Sequence, residues 1–155
     1  MAFLLIGKVY LDNMILQHIY LDKYGWNALI FYGVDDLYTD VIISELEAID
    51  CSKEDIESSE KLLNSKKYNI GLTVSNFEDR ASVIVIGITD STEEFNSTYD
   101  HEKGHLAMHI CIEFGINPFS EEYQYLAGEI AKQTFKVAKY FLCEECKKQL
   151  KAELY

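Results

Sequence analysis

ASVIVIGITDSTEEFNSTYDHEKGHLAMHICIEFG, residues 81–115, switches its pattern once, and that switch decides the fold. ASVIVIGIT is dense in β-branched residues, which predicts a strand that is central or faces the core. DSTEEF then marks a helix start, with Ser91 as N-cap and Glu94 three residues on. The helix is expected to run through His101, His105 and His109 to Gly115, a natural C-cap. One strand therefore feeds one long helix.

Outward from that pair, NPFS makes a turn and Ser120 caps a last helix. YQYLAGEIAKQTFKVAKYFL carries it to about Cys143. Upstream, NIGLTV forms a second strand, joined to the first by the polar turn SNFEDR. SKEDIESSEKLL opens with Ser52 and Asp55 at capping-box-like spacing, so a short helix is expected there. DVIISELEAI places Ile42, Leu46 and Ile49 on one helical face, and WNALIFYGV, 26–34, is a strand candidate. Residues 14–24 read as a short helix closed by Gly25, because Ile15 and Ile19 have helical spacing. The expected class is α+β, a small mixed sheet with helices, ending in strand, helix, turn, helix.

No repeat, low-complexity tract or Pro/Gly-rich linker interrupts the chain, and Pro118 is its only proline. The 155 residues are expected to form one domain, with residues 1–81 as an α/β part of the same unit. A net charge of −12 and a single arginine, Arg80, argue against nucleic acid or an anionic membrane as partner. The oily start MAFLLIGKVYLDNMILQHIYLDKYG lacks a basic first segment and a small-residue cleavage site, and Lys8 and Asp12 break it. No apolar run approaches membrane-spanning length. Four scattered cysteines do not make a secreted disulfide scaffold, so the expected compartment is the cytoplasm.

HEKGH, 101–105, carries the chemistry. Histidines four apart project from one helical face, about 6 Å apart along the axis, and can converge on one zinc ion. Glu102 lies about 100° round the helix, where its carboxylate can take a proton from a water the cation activates. His109 lies about 12 Å along the axis from His101, too far for both to bind one ion from a straight helix. A packing role is expected of it, and His18 has no motif around it. Gly104 costs about 1 kcal/mol relative to Ala in a helix interior, which a close-packed backbone beside the metal would explain. Without a metal, the same histidines would be surface groups or satisfied core residues.

The pattern resembles the HExxH signature of zincin metallopeptidases. That resemblance covers roughly residues 82–142. It implies a zincin-like core in which Ser82–Ile88 forms the rim along which an extended substrate lies. It implies zinc as cofactor, His101 and His105 as ligands and Glu102 as general base in hydrolysis of a peptide or protein substrate. Catalytic zinc usually takes a third protein ligand. The third histidine of HExxHxxGxxH is missing, since LAMHICIEF follows His105. The gluzincin pattern takes a Glu from the next helix, where SEEYQYLAGEIAKQ offers Glu121, Glu122 and Glu129.

HEKGHLAMHICIEFGI followed by EEYQYLAG is similar to compact phage and prophage zincin-like proteins, and distantly to ImmA/IrrE-type peptidases. The similarity favours Glu121, with Tyr125 four residues on. Helical rise favours Glu129, where an antiparallel partner returns to the level of His105. Glu122 fits both less well, and first-turn acids also favour the helix dipole on their own. Tyr99, Tyr123 and Tyr125 are near enough in sequence to offer a hydroxyl to a developing oxyanion. A phage origin would place the chain in a host cytoplasm or a virion.

Cys143-Glu-Glu-Cys146 has metal-binding spacing, but a structural zinc site there would need partners from elsewhere. The rival to the peptidase is a phage-encoded structural or protein-interaction protein on a zincin-like scaffold, acting through an acidic, tyrosine-rich surface.

Overall fold

The computed structural model describes residues 8–11 and 14–154, a mixed α+β arrangement. Strands β1 (Lys8–Leu11), β2 (Met14–Leu21) and β3 (Trp26–Val34) come first. Helices α1 (Thr39–Ala48) and α2 (Lys53–Leu63) follow, then β4 (Gly71–Asn76) and β5 (Ala81–Gly87). Helices α3 (Thr92–Phe114), α4 (Glu121–Ala138) and α5 (Glu144–Leu154) close the chain.

The five strands form one sheet in the order β1-β2-β3-β5-β4. Only β3 and β5 run parallel; every other neighbouring pair is antiparallel. Parallel neighbours need a long crossover, and α1, α2 and β4 supply it. β4 and β5 form the hairpin read from NIGLTV and ASVIVIGIT, with Asn76 opposite Ala81 beside the turn. β4 is thereby an edge strand, beside the helix that carries the histidines.

Alternation along the strands splits the core into two layers. Trp26, Ile30, Tyr32, Ile84 and Ile86 face α3 and α4 and pack with Phe95, Leu106, Ile110 and Ile130. Phe31, Val83, Val85 and Leu72 face the other way, onto Ile42 and Leu46 of α1 and Leu63 of α2. Residues on both faces of β5 are buried, which is why ASVIVIGIT is apolar at consecutive positions. Polar groups inside are paired: Trp26 Nε1 donates to Ser82 Oγ at 2.8 Å, and Tyr99 Oη and Thr134 Oγ1 share a 2.6 Å hydrogen bond.

The local signals in the long helices hold. Ser52, Ser91 and Ser120 each accept from the backbone N–H three residues on, satisfying a donor that the helix itself leaves free. Gly115 ends α3 at φ 65°, a left-handed conformation that glycine adopts without a Cβ clash.

Two expectations change. Residues 14–24 are not a helix: Met14–Leu21 is β2, paired along both edges, and Asp22–Tyr24 is one 3₁₀ turn. Gly25 closes that turn at φ 57° rather than an α-helix. The last helix stops at Ala138 instead of about Cys143, and a short turn leads into α5, which includes most of KKQLKAELY. Much of the N-terminal oily stretch, residues 1–7, 12 and 13, lies outside the described residues. Among the described residues no helix is long and apolar enough to cross a membrane.

Candidate metal centre

His101 and His105 bring their Nε2 atoms to 3.0 Å, with ring centroids 4.6 Å apart and the rings nearly perpendicular. That separation matters. Two nitrogens each about 2.0–2.1 Å from a zinc ion at a tetrahedral angle lie about 3.3 Å apart. The pair is therefore within a few tenths of an ångström of the spacing that chelation needs, and both rings are exposed. Among the described residues, His101, Glu102 and His105 form the one group of three or more His, Cys, Asp or Glu donors whose atoms all lie within 4.8 Å of one another. The donor set, two imidazoles and one carboxyl, suits zinc and other borderline divalent cations.

Glu102 differs from the two histidines in being buried, with 4% of its surface exposed. The helix turns it toward β4, where Thr73 Oγ1 donates to its Oε2 at 2.6 Å. That bond fixes the carboxyl, and Oε1 lies on the side of Gly71. A Cβ on Gly71 would stand 2.7 Å from Glu102 Oε1 and 2.8 Å from both Glu102 Cγ and Thr98 Cγ2. Gly71 is thus the clearance that lets Glu102 lie against the edge strand. Gly71→Ala is expected to push the carboxyl off Thr73 and to destabilise the protein by roughly 1–3 kcal/mol, the range for overpacking. Urea unfolding measures the loss.

Gly104 is different. A Cβ there meets nothing within 4 Å, so close packing beside the metal does not explain this glycine. Gly104→Ala is expected to stabilise the chain by about 0.5–1 kcal/mol through helix propensity, with the histidine geometry intact. The two glycines therefore predict opposite signs in the same unfolding measurement.

His109 belongs to the packing. Its Nδ1 lies 2.7 Å from Ser75 Oγ, which lies 2.6 Å from Ser82 Oγ, the acceptor of the Trp26 indole N–H. This chain ties α3 to β4, β5 and β3. Burial, and then the neighbouring His105, lower the pKa of His109 below the usual histidine value. Both effects favour the neutral ring, which suits a hydrogen-bonded packing group. His18 sits elsewhere, on β2, with Nε2 2.9 Å from Asn27 Oδ1.

The structure does not bring Glu121, Glu122 or Glu129 to the histidines. α3 packs over β4 and β5, whereas α4 packs over β2, toward the opposite edge of the sheet. Going round α3 from His101, His105 lies at about 40°, Glu102 at about 100° and Tyr99 at about 160° on ideal helical geometry. Glu102 faces β4 and Tyr99 meets Thr134 of α4, so the histidines point away from α4, past the edge strand. Glu122 is turned to the end of β2, where Tyr24 Oη donates to it at 3.3 Å and Lys23 Nζ pairs with it at 3.4 Å. Glu129 accepts from Gln133, whose amide also reaches the Tyr20 carbonyl of β2. Glu121 is exposed in the first turn of α4 and, like the other two, lies outside the donor group. Sequence spacing sets the level of a residue along α4 but not the side on which it emerges.

The tyrosine hydroxyls are no closer to a role. Tyr99 is committed to Thr134, Tyr123 packs against the core and Tyr125 is exposed on α4. Gly71 and Thr73, the residues that position Glu102, went unnoticed in the sequence. No local signal marks them, because their contact with Glu102 is tertiary. Cys143 and Cys146 gain no third metal donor among the described residues.

No known family model matches this chain, and no curated protein or solved structure matches it.

Proposed function

We propose that this chain is a zinc-dependent hydrolase of peptide bonds, built on a zincin-like arrangement of strand β5, helix α3, turn and helix α4. The observation that carries the reading is the 3.0 Å approach of two Nε2 atoms beside a buried, oriented glutamate. His101 and His105 would hold the ion through Nε2. Bound there, zinc would supply Lewis acidity, polarising a carbonyl and lowering the pKa of water. Glu102 would take the water's proton at Oε1, while Thr73 holds Oε2 and so keeps the carboxyl from swinging away. The Ser82–Ile88 rim expected from the resemblance is not free, because β5 is paired on both sides. Among the described residues the edge beside this group is that of β4, which can hold an extended chain by backbone hydrogen bonds.

Two protein nitrogens hold zinc less tightly than three or four ligands. Structural sites with four ligands reach about 10–16 kcal/mol, so half that set corresponds to a Kd of roughly 10⁻⁴–10⁻⁶ M. Activity on an unstructured protein such as casein is expected to vanish with a chelator and, once the chelator is removed, to return on adding zinc to about 10⁻⁴ M or above. Hydrolysis that persists in excess chelator would contradict the proposal.

A second reading is favoured by one observation: no carboxylate of α4 joins the group, whereas catalytic zinc sites usually carry three protein ligands. On that reading the chain is a non-catalytic interaction protein with a zincin-like scaffold, and zinc addition produces no turnover.

A further inference from the structure

We propose that Cys143 and Cys146 form a redox-active dithiol, in which Cys143 attacks an external disulfide and Cys146 resolves the product. Cys143 immediately precedes α5, and the backbone N–H of Cys146 donates to its Sγ at 3.2 Å. This is the bond that Ser52, Ser91 and Ser120 accept through oxygen at the starts of α2, α3 and α4. A neutral thiol is a poor acceptor for such a bond, and a thiolate a good one. That bond also sets Cys146 one helical turn from the Cys143 sulfur. Residues three apart in a helical turn have Cα atoms about 5 Å apart, inside the range a disulfide spans.

The thiols separate by environment. Cys143 is exposed, and the hydrogen bonds from Cys146 lower its pKa, while Cys146 is correspondingly raised. Glu145 opposes the thiolate, but Lys147 and Lys148 pair with Glu144 and Glu145 and blunt that charge. Elsewhere, burial and the nearby Asp55 and Asp50 push Cys51 up to about 11, and burial raises Cys111. Attack is thus directed to one of the four sulfurs.

The exchange balances with a low-molecular-weight disulfide as oxidant. The Cys143 thiolate attacks one sulfur of that disulfide, forms a mixed disulfide and expels one thiolate, which takes a proton. Cys146 then loses its proton and attacks the Cys143 sulfur, forming the intramolecular disulfide and expelling the second thiol. Two protein thiols are oxidised, and one disulfide is reduced to two thiols.

The test uses the whole chain and oxidised glutathione at pH 7, with acid quenching and non-reducing peptide mapping. The expected product is the Cys143–Cys146 disulfide, with Cys51 and Cys111 still reduced. Cys146→Ser should stop at a mixed disulfide on Cys143. Cys143→Ser keeps a side chain able to cap α5 and should slow reaction at Cys146 about tenfold or more. Iodoacetamide should label Cys143 about tenfold or more faster than Cys51. Equal labelling of Cys143 and Cys51, or mixed disulfides that never resolve in the wild-type chain, would overturn the proposal. None of these readouts depends on hydrolysis, so they stand or fall apart from the metal centre.

Discussion

His105→Ala is expected to lower zinc affinity by about two orders of magnitude, with little change in fold stability. The size follows from apportioning a binding free energy of about 10–16 kcal/mol over four ligands, or roughly 2.5–4 kcal/mol for each. The specificity follows from exposure: His105 lies on the solvent side of α3, where substitutions away from special features change stability by about 0.5 kcal/mol or less. Equilibrium dialysis against zinc, with urea unfolding of the same sample, separates the two effects. His109→Ala provides the contrast, because it removes a ring hydrogen-bonded to Ser75 while leaving the converging pair in place. That variant is expected to lose stability and keep most of its zinc affinity. If the two substitutions weaken zinc binding equally, the ion is held by the whole histidine stripe, and the geometry proposed here is wrong.

Glu102→Gln is expected to keep the metal and lower turnover by about 10²–10⁴-fold, the usual contribution of a positioned general base. The amide has the shape of the acid and can still accept from Thr73 Oγ1, so the clearance provided by Gly71 remains sufficient. What it cannot do is take a proton at the required pKa. Zinc content and peptide hydrolysis, measured together, assign the role of this carboxyl. Retained zinc with lost turnover makes Glu102 the base. Lost zinc makes it the third ligand, a role its place in the donor group also permits.

Features set within a few residues were legible in the sequence. The caps Ser52, Ser91 and Ser120, the stop at Gly115 and the strand Trp26–Val34 stand where the sequence placed them, since each depends on neighbours along the chain. The four-residue spacing of His101 and His105 became spatial convergence for the same reason. β2 was misread because Ile15 and Ile19 fit a helical period, while both faces of its first residues meet apolar neighbours and hide the alternation. The alternation emerges only from Gln17 to Leu21, where His18 and Tyr20 are exposed.

The placement of the α4 carboxylates is illegible for another reason. Which way Glu121, Glu122 and Glu129 point depends on α4 lying over β2, a tertiary fact with no local signature. Gly71 and Thr73 lie about thirty residues from Glu102 in the chain, so their partnership was equally hidden. A glycine in the sequence does not by itself show whether it is needed: Gly71 makes room for a side chain, and Gly104 faces open space.

Anomalous diffraction from crystals grown with zinc tests the metal centre most directly. One peak is expected about 2.0–2.1 Å from both Nε2 of His101 and Nε2 of His105, on the side of α3 facing away from α4. A peak coordinated by a carboxylate of α4, or no peak between the two rings at saturating zinc, would contradict it.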